Sequence, residues 1–510
     1  MFKGHPKGLI AAALANMGER FGFYTMMAIL VLFLQSKFGL DGTNSGIIYS
    51  VFYALIYILA LVGGVIADRL QNYKGTITAG LIIMTIGYVI LAIPTPTPVP
   101  NYNLYLTVSL AALFIIAFGN GMFKGNLQAL VGQMYDKGDY TDNKREQGFQ
   151  IFYMFINIGA IFAPFIAPSI RNWWLKSQGF KYNPELPAYC HSQLNGKITE
   201  KTAAAFQELA NKATISSSEV TNLADFSKNY LNAFTTGFHY AFAIAIVAML
   251  ISVVIYLANK KYFPNPKGKT EDKQNKTEEI QMDTKEIKQR IYALLAVFGI
   301  VIFFWFSFHQ NGLTLTFFAR DYTLLKIGSY DLSVESFQAM NPFFVVFLIP
   351  IILSIFSWLK TKGIDPSTPK KIAIGMGIAA LAYLVMAVAS IGLPLYETIN
   401  PQKGGVSLPD TQKVTPFLLI GTYFILTVAE LFISPLGIAF VSKVAPPQYQ
   451  GLMQGGWLGA TALGNQLLFI GAILYETVPL WVTWGLFVVV CLISMFTMLF
   501  MVKWLDKIAK

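Results

Sequence analysis

Residues 9–34 read LIAAALANMGERFGFYTMMAILVLFL, an apolar run with Glu19 and Arg20 side by side near its middle. About 20 apolar residues cross the hydrocarbon core as a helix, so this run is long enough to span a bilayer. A charge inside such a span costs roughly 2.5–3.5 kcal/mol on insertion scales, and residues that bear it face a cavity or a partner and mark an ion or substrate path. The run follows Lys3 and Lys7 as a signal sequence would, but it continues through Phe21 to Leu34, further than a cleaved leader requires. It is read as a retained span. Two further charges, Lys124 and Glu430, sit in later apolar runs.

Across the chain, 55% of the residues are hydrophobic and 13% charged, with a mean hydropathy of +0.52. Soluble domains carry about 25% charge, so the chain reads as an all-α polytopic membrane protein. Twelve apolar runs are long enough to span, at 9–34, 46–66, 76–93, 104–134, 147–169, 237–258, 291–318, 337–359, 371–392, 415–441, 451–474 and 480–502. The net charge of +11 could suggest a nucleic-acid partner, but the basic residues gather in every second loop. With the N-terminus inside, 24 Lys and Arg fall on cytoplasmic segments and 12 on external ones, and Arg20 and Lys124 lie in spans. That is the positive-inside pattern. It predicts both termini in the cytoplasm, a lipid bilayer as surroundings and no nucleic acid.

A polar stretch at 259–290 divides the chain into an N-terminal six-helix bundle (1–258) and a C-terminal one (291–510). Its Lys, Glu, Gln and Asn content predicts a flexible cytoplasmic linker, helical from Glu278 onward. Two six-helix halves are the signature of a rocking carrier. Residues 171–236 form a polar external segment whose Ala203–Ala210 stretch favours helix, so a small cap is expected, read as a tolerated insertion. Pro94, Pro96, Pro98 and Pro100 predict a stiff extended connector. Cys190 and Cys491 fall far apart in depth, so no disulfide is expected. Gly268-Lys269-Thr270 lacks the upstream glycine of a phosphate-binding loop, and the common hydrolase signatures Gly-x-Ser-x-Gly and His-Glu-x-x-His are absent. The reading is a secondary carrier, neither an ATPase nor another enzyme, with no metal or cofactor.

Gly63-Gly64-Val65-Ile66-Ala67-Asp68-Arg69, followed by Lys74-Gly75, resembles the cytoplasmic loop motif of the major facilitator superfamily. Its glycines permit close helix approach, and Asp68 with Arg69 can pair or cap helix ends at a gate. Further blocks narrow the resemblance: Glu19-Arg20-Phe21, Phe123-Lys124-Gly125-Asn126, Phe152 to Gly159, Phe304-Trp305, Gln338 to Pro342, and Ala429-Glu430-Leu431-Phe432-Ile433-Ser434-Pro435. Together they are similar to the proton-dependent oligopeptide transporter family over nearly the whole chain. The resemblance implies the major facilitator fold and a proton-gradient-driven symporter of di- and tripeptides that works by alternating access in the plasma membrane, the inner membrane of a Gram-negative cell, as a monomer. A short peptide is a zwitterion, so Lys124 would hold its carboxylate and Glu430 its ammonium, with Asn157 and Asn341 on its backbone or termini. Tyr24, Tyr57 and Trp457 would form the pocket wall. Gly121 and Gly125 are assigned to helix contact.

The chain departs from the family at informative points. The family's Glu-x-x-Glu-Arg has Asn16 at its first glutamate here, and the family's arginine seven residues after Arg20, answered by a glutamate on the seventh span, becomes Met27 and His309. Changing both avoids an uncompensated buried charge, which would destabilise by about 3–5 kcal/mol. The external gate is then expected to close by packing and hydrogen bonds. His309, which ordinarily titrates near pH 6.5, is a candidate proton carrier beside Glu19, Arg20 and Glu430. Glu430 is expected to be the sole buried carboxylate of the second half. Most bacterial members carry two extra helices between the halves; the polar linker here predicts twelve crossings. Alternatives are a facilitator or carrier of another amine- or carboxylate-bearing solute, and a nutrient receptor that binds without transporting.

Overall fold

Hydrocarbon offers no partner to a free N–H or C=O, so every apolar run must close its own backbone hydrogen bonds as helix. The computed structural model describes residues 4–136, 140, 142–216, 219–264, 283–364, 366–446 and 449–508. Twelve segments among them are long and apolar enough to cross a membrane. The first six are α1 (Leu9–Phe38), α2 (Gly42–Leu70), α3 (Tyr73–Ala92), α4 (Tyr102–Asp136), α5 (Asp142–Ser177) and α8 (Leu223–Ala258). Between α5 and α8 lie α6 (Leu186–Leu194) and α7 (Glu200–Ala213), which form a small cap. The seventh span is α9 (Thr284–Phe308), a 3-10 turn at His309–Gly312, and α10 (Thr314–Asp321). After a 3-10 turn at Val334–Ala339 come α11 (Met340–Thr361), α12 (Thr368–Ala389), the short α13 (Tyr396–Ile399), α14 (Pro416–Val444), α15 (Gln450–Gln466), α16 (Leu468–Thr477) and α17 (Leu480–Ile508). Polar caps set the ends: Asp41 accepts from the Asn44 amide at 2.7 Å, and Asn72, Asn222 and Asp283 cap α3, α8 and α9 in the same way.

The helices pack as two bundles. In one, α1 lies against α5 and α8, and α4 against α2 and α3; in the other, α12 lies against α14 and α17, and α9 against α15 and α17. Gly63 on α2 faces Gly121 on α4 so closely that a Cβ at Gly63 would lie 2.2 Å from the Gly121 carbonyl oxygen. The expectation for Gly121 therefore matches its setting, whereas Gly125 faces open space and makes no such helix contact.

Of the connecting segments, one departs from the sequence expectation, one lies outside the described residues and one agrees with it. The segment predicted as an external loop from Arg171 to Thr236 is helical at both ends, because α5 runs to Ser177 and α8 starts at Leu223; the cap proper is residues 178–222. Within the linker, 265–282 and with them the helix start at Glu278 lie outside the described residues; α9 is helical from Thr284. Between α3 and α4 the proline connector is non-helical, and the Lys37 ammonium donates to the Thr95 and Pro96 carbonyls.

Candidate functional site

Three groups of polar residues inside the spans bear on the site. Glu19 and Arg20 form a two-pronged ion pair, Nε to Oε2 at 2.5 Å and Nη2 to Oε1 at 2.8 Å, with Glu19 fully buried. Neighbours on a helix point about 100° apart, so the pair needs a third group to fix it. Asn120 on α4 supplies it, donating to Glu19 Oε1 at 2.7 Å. The buried Tyr88 hydroxyl has no hydrogen-bond partner among the described residues and lies within electrostatic range of both charges.

Lys124 lies one helical turn beyond Asn120 on the same face of α4. Among the described residues it has no ion-pair or hydrogen-bond partner; its ammonium sits 4.5 Å from the centroid of the Tyr57 ring on α2. Glu430, from the other bundle, accepts from Asn341 Nδ2 at 2.8 Å, and the same amide reaches Thr427 Oγ1 at 3.1 Å. Tyr24, Tyr53, Tyr57 and Tyr153, all from the first bundle, are close enough to Glu430 to feel its charge. Lys124 and Glu430 are only half-buried. The arrangement is a cation without an ion-pair partner among the described residues, set against the Tyr57 ring, and a hydrogen-bonded carboxylate on the opposite bundle. Such a site suits a small solute bearing one charge of each sign.

His309 forms the third group, where the seventh span breaks. Its Nδ1–H donates to Asn465 Oδ1 at 2.5 Å, its ring stacks on Trp305 at 4.9 Å between centroids, and Tyr53 of the other bundle packs on it at 4.7 Å. Asn157 turns its amide back to the Tyr153 carbonyl at 3.0 Å. Trp457 is 3% exposed and packs across Gly437, so in this state its ring serves contact between α14 and α15 rather than the tyrosine-lined space. Asp68 and Arg69 are exposed at the linker end of α2, where Asp68 accepts from the Tyr73 hydroxyl. Asn120, Tyr53, Tyr153, Thr427 and Asn465 were missed from sequence. For two of them a signal existed: Tyr49, Tyr53 and Tyr57 recur every fourth residue on one face of α2, and Asn120 stands four before Lys124.

The opposite end of the bundles, covered by the cap, is closed, and not by the means the sequence implied. Arg171 on α5 and Glu335 at the entry to α11 form a fully buried ion pair across the bundles, and Asn172 Nδ2 donates to Ser333 Oγ at 3.3 Å beside it. Glu476 at the end of α16 accepts from the Gly42 and Thr43 amides at 2.8 and 3.0 Å, capping the start of α2 from the other bundle. Glu335 and Glu476 also correct the expectation of a single buried carboxylate in the second half. Both stand just outside the apolar runs, where a hydropathy reading assigns them to water.

Twelve spans in two bundles, shut at one end around a midspan site with charges of both signs, define a carrier of the major facilitator type. A profile of the POT family matches residues 74–277 and 268–480. The chain belongs to the POT family; it is a multi-pass membrane transporter and not an enzyme. It is 26% identical over 496 residues to the uncharacterized transporter YclF of Bacillus subtilis, covering 94% of this chain and 90% of that protein. It is also 26% identical over 546 residues to dipeptide and tripeptide permease B of Xenorhabdus bovienii, covering 99% and 96%. Among solved structures, a peptide transporter POT in complex with sulfate superposes with a TM-score of 0.73 at 23% identity, covering 100% of this chain and 96% of that one. A POT family transporter in complex with 5-aminolevulinic acid gives 0.71 at 21% identity, covering 100% and 98%.

Proposed function

We propose that the protein is a proton-coupled symporter that imports di- and tripeptides by alternating access, with the proton gradient as driving force and no cofactor. The observation that carries this reading is Lys124: a half-buried ammonium against the Tyr57 ring with no counter-ion among the described residues, which a ligand anion would complete. The peptide carboxylate is that anion. Glu430, steadied by Asn341, takes the peptide ammonium; Asn157 turns from the Tyr153 carbonyl to the peptide backbone; Tyr24 and Tyr57 pack against side chains, joined by Trp457 when α14 and α15 shift. Relatives bearing the names dipeptide and tripeptide permease support the substrate class.

In this reading the cap faces outside, the linker and both termini face the cytoplasm, and the monomer works in the plasma membrane, the inner membrane if the cell is Gram-negative. Asp68 and Arg69 belong to the cytoplasmic gate. Proton coupling rests on Glu19, Glu430 and His309, with the permanently charged Arg20 as the partner of Glu19. A ligand ammonium at Glu430 replaces its proton, and closure around the ligand shortens both contacts, so binding itself favours the occluded state. The test is uptake into liposomes: a symporter accumulates a dipeptide with uncharged side chains when the outside is acidic. Equilibration without accumulation supports the second reading, a facilitator or carrier of another amine- and carboxylate-bearing solute, which the changes at Asn16, Met27 and His309 favour.

A further inference from the structure

An insertion that merely decorates a loop touches the bundle it springs from. The described residues of the cap touch both. They are anchored to the first bundle by continuity with α5 and α8, by an aromatic stack of Tyr189, Phe206, Phe226 and Tyr230, and by His191, whose Nε2–H donates to the Ser36 carbonyl at 2.7 Å. They reach the second bundle through the stretch between α12 and α14. Lys413 Nζ meets Glu185 Oε1 at 2.6 Å, Ser192 Oγ donates to the Pro401 carbonyl at 3.0 Å, and the Ser407 amide donates to the Tyr189 hydroxyl at 3.0 Å. The Glu185–Lys413 pair is largely shielded from water, with side chains 11% and 8% exposed. Beneath these contacts, Tyr182 of the cap lies over the Arg171 guanidinium at 4.0 Å from the ring centroid and covers the ion pair with Glu335.

We infer that the cap is a strap across the outer gate: it ties the two bundles through Glu185, Ser192 and Tyr189, shields the Arg171–Glu335 lock, and must release its hold on residues 401–413 each time the cap end opens. Alternating access requires the two bundle ends to part there. The Glu185, Ser192 and Tyr189 contacts cross the line of parting and Tyr182 covers an ion pair that does, so the strap adds to the free energy of the closed state and of no other. This holds whatever solute is carried, so it fails or stands independently of the peptide assignment.

The test measures the gate directly, without substrate. Spin labels on K228C and E397C, both exposed at the cap end on opposite bundles, report the gap by pulsed dipolar spectroscopy in lipid nanodiscs. Cys190 and Cys491 are buried, and labelled protein lacking the introduced cysteines is the control. E185K, which sets two ammonium groups face to face, is expected to raise the long-distance fraction about threefold or more. The reversed pair E185K/K413E is expected to return it to the starting distribution. K413M keeps the apolar stem and drops only the charge, so it guards against a cap that fails to fold; it should shift the distribution the same way by a smaller factor. An unchanged distribution in both E185K and K413M, or a reversed pair as open as E185K alone, overturns the inference.

Discussion

Replacing Lys124 by alanine removes a charge that has no partner among the described residues, only the face of Tyr57. No protein carboxylate is orphaned, so the fold should lose little beyond one cation–π contact, about 0.5–2 kcal/mol. The ligand loses more. A hydrogen bond to a charged group is worth about 1.5–3 kcal/mol, which at tenfold per 1.4 kcal/mol means a loss of about 10- to 150-fold in affinity. That loss should fall on peptides with a free C-terminal carboxylate and spare those whose terminus is amidated. The assay is competition binding of Ala-Ala and its C-terminal amide to wild type and K124A in proteoliposomes, read as a double cycle. The two losses should differ by at least about tenfold. Equal losses for acid and amide would show that Lys124 does not read the carboxylate, and would refute the pairing of ends that the site geometry suggests.

Glu430→Gln keeps an oxygen to accept from Asn341 but loses the negative charge, and is expected to abolish peptide binding or flux; near-normal uptake would remove Glu430 from the site. His309→Gln should flatten the pH dependence of uptake if His309 carries the proton, whereas an unchanged profile leaves the task to Glu19 and Glu430. Asn120→Leu strips a donor from the buried Glu19, and should lower the apparent melting temperature by the equivalent of about 1–3 kcal/mol; an unchanged melting curve would show the clamp to be idle. In the cap, burial holds the His191 imidazole below its ordinary value of 6.5. The unfolded cap therefore binds the proton more readily, and docking should weaken as pH falls below about 6.5. Hydrogen exchange of residues 186–194, corrected for intrinsic rate, should rise over that range in wild type and stay flat in H191Q, which keeps a donor for the Ser36 carbonyl; identical profiles would exclude His191.

How much of this was legible in the chain follows from the physics of each signal. Span existence depends on apolar length alone, so all twelve were readable, including the seventh, whose break at His309–Gly312 is not a hydropathy feature. Lys124, Glu430 and the Glu19–Arg20 pair stand out because a charge amid apolar residues is rare. Arg171, Glu335 and Glu476 were misread as solvated for the opposite reason. They lie at the margins of apolar runs, and each is neutralised by a group more than 150 residues away or by a helix start on the other bundle. Pairing at that range leaves no trace in spacing. Asn120 and Tyr53 were readable from four-residue periodicity with Lys124 and Tyr57, whereas Asn465 and Thr427 gain meaning only from the side chains they touch. Trp457 shows the converse: an aromatic at a suggestive position, turned in this state to packing against Gly437.

Dipeptide-driven proton movement in vesicles of the purified protein bears on the whole account at once. With pH equal on both sides and a pH-sensitive dye inside, adding Ala-Ala outside should acidify the lumen, and K124A or E430Q should abolish the signal. Peptide entry with no change in lumenal pH would contradict coupled transport.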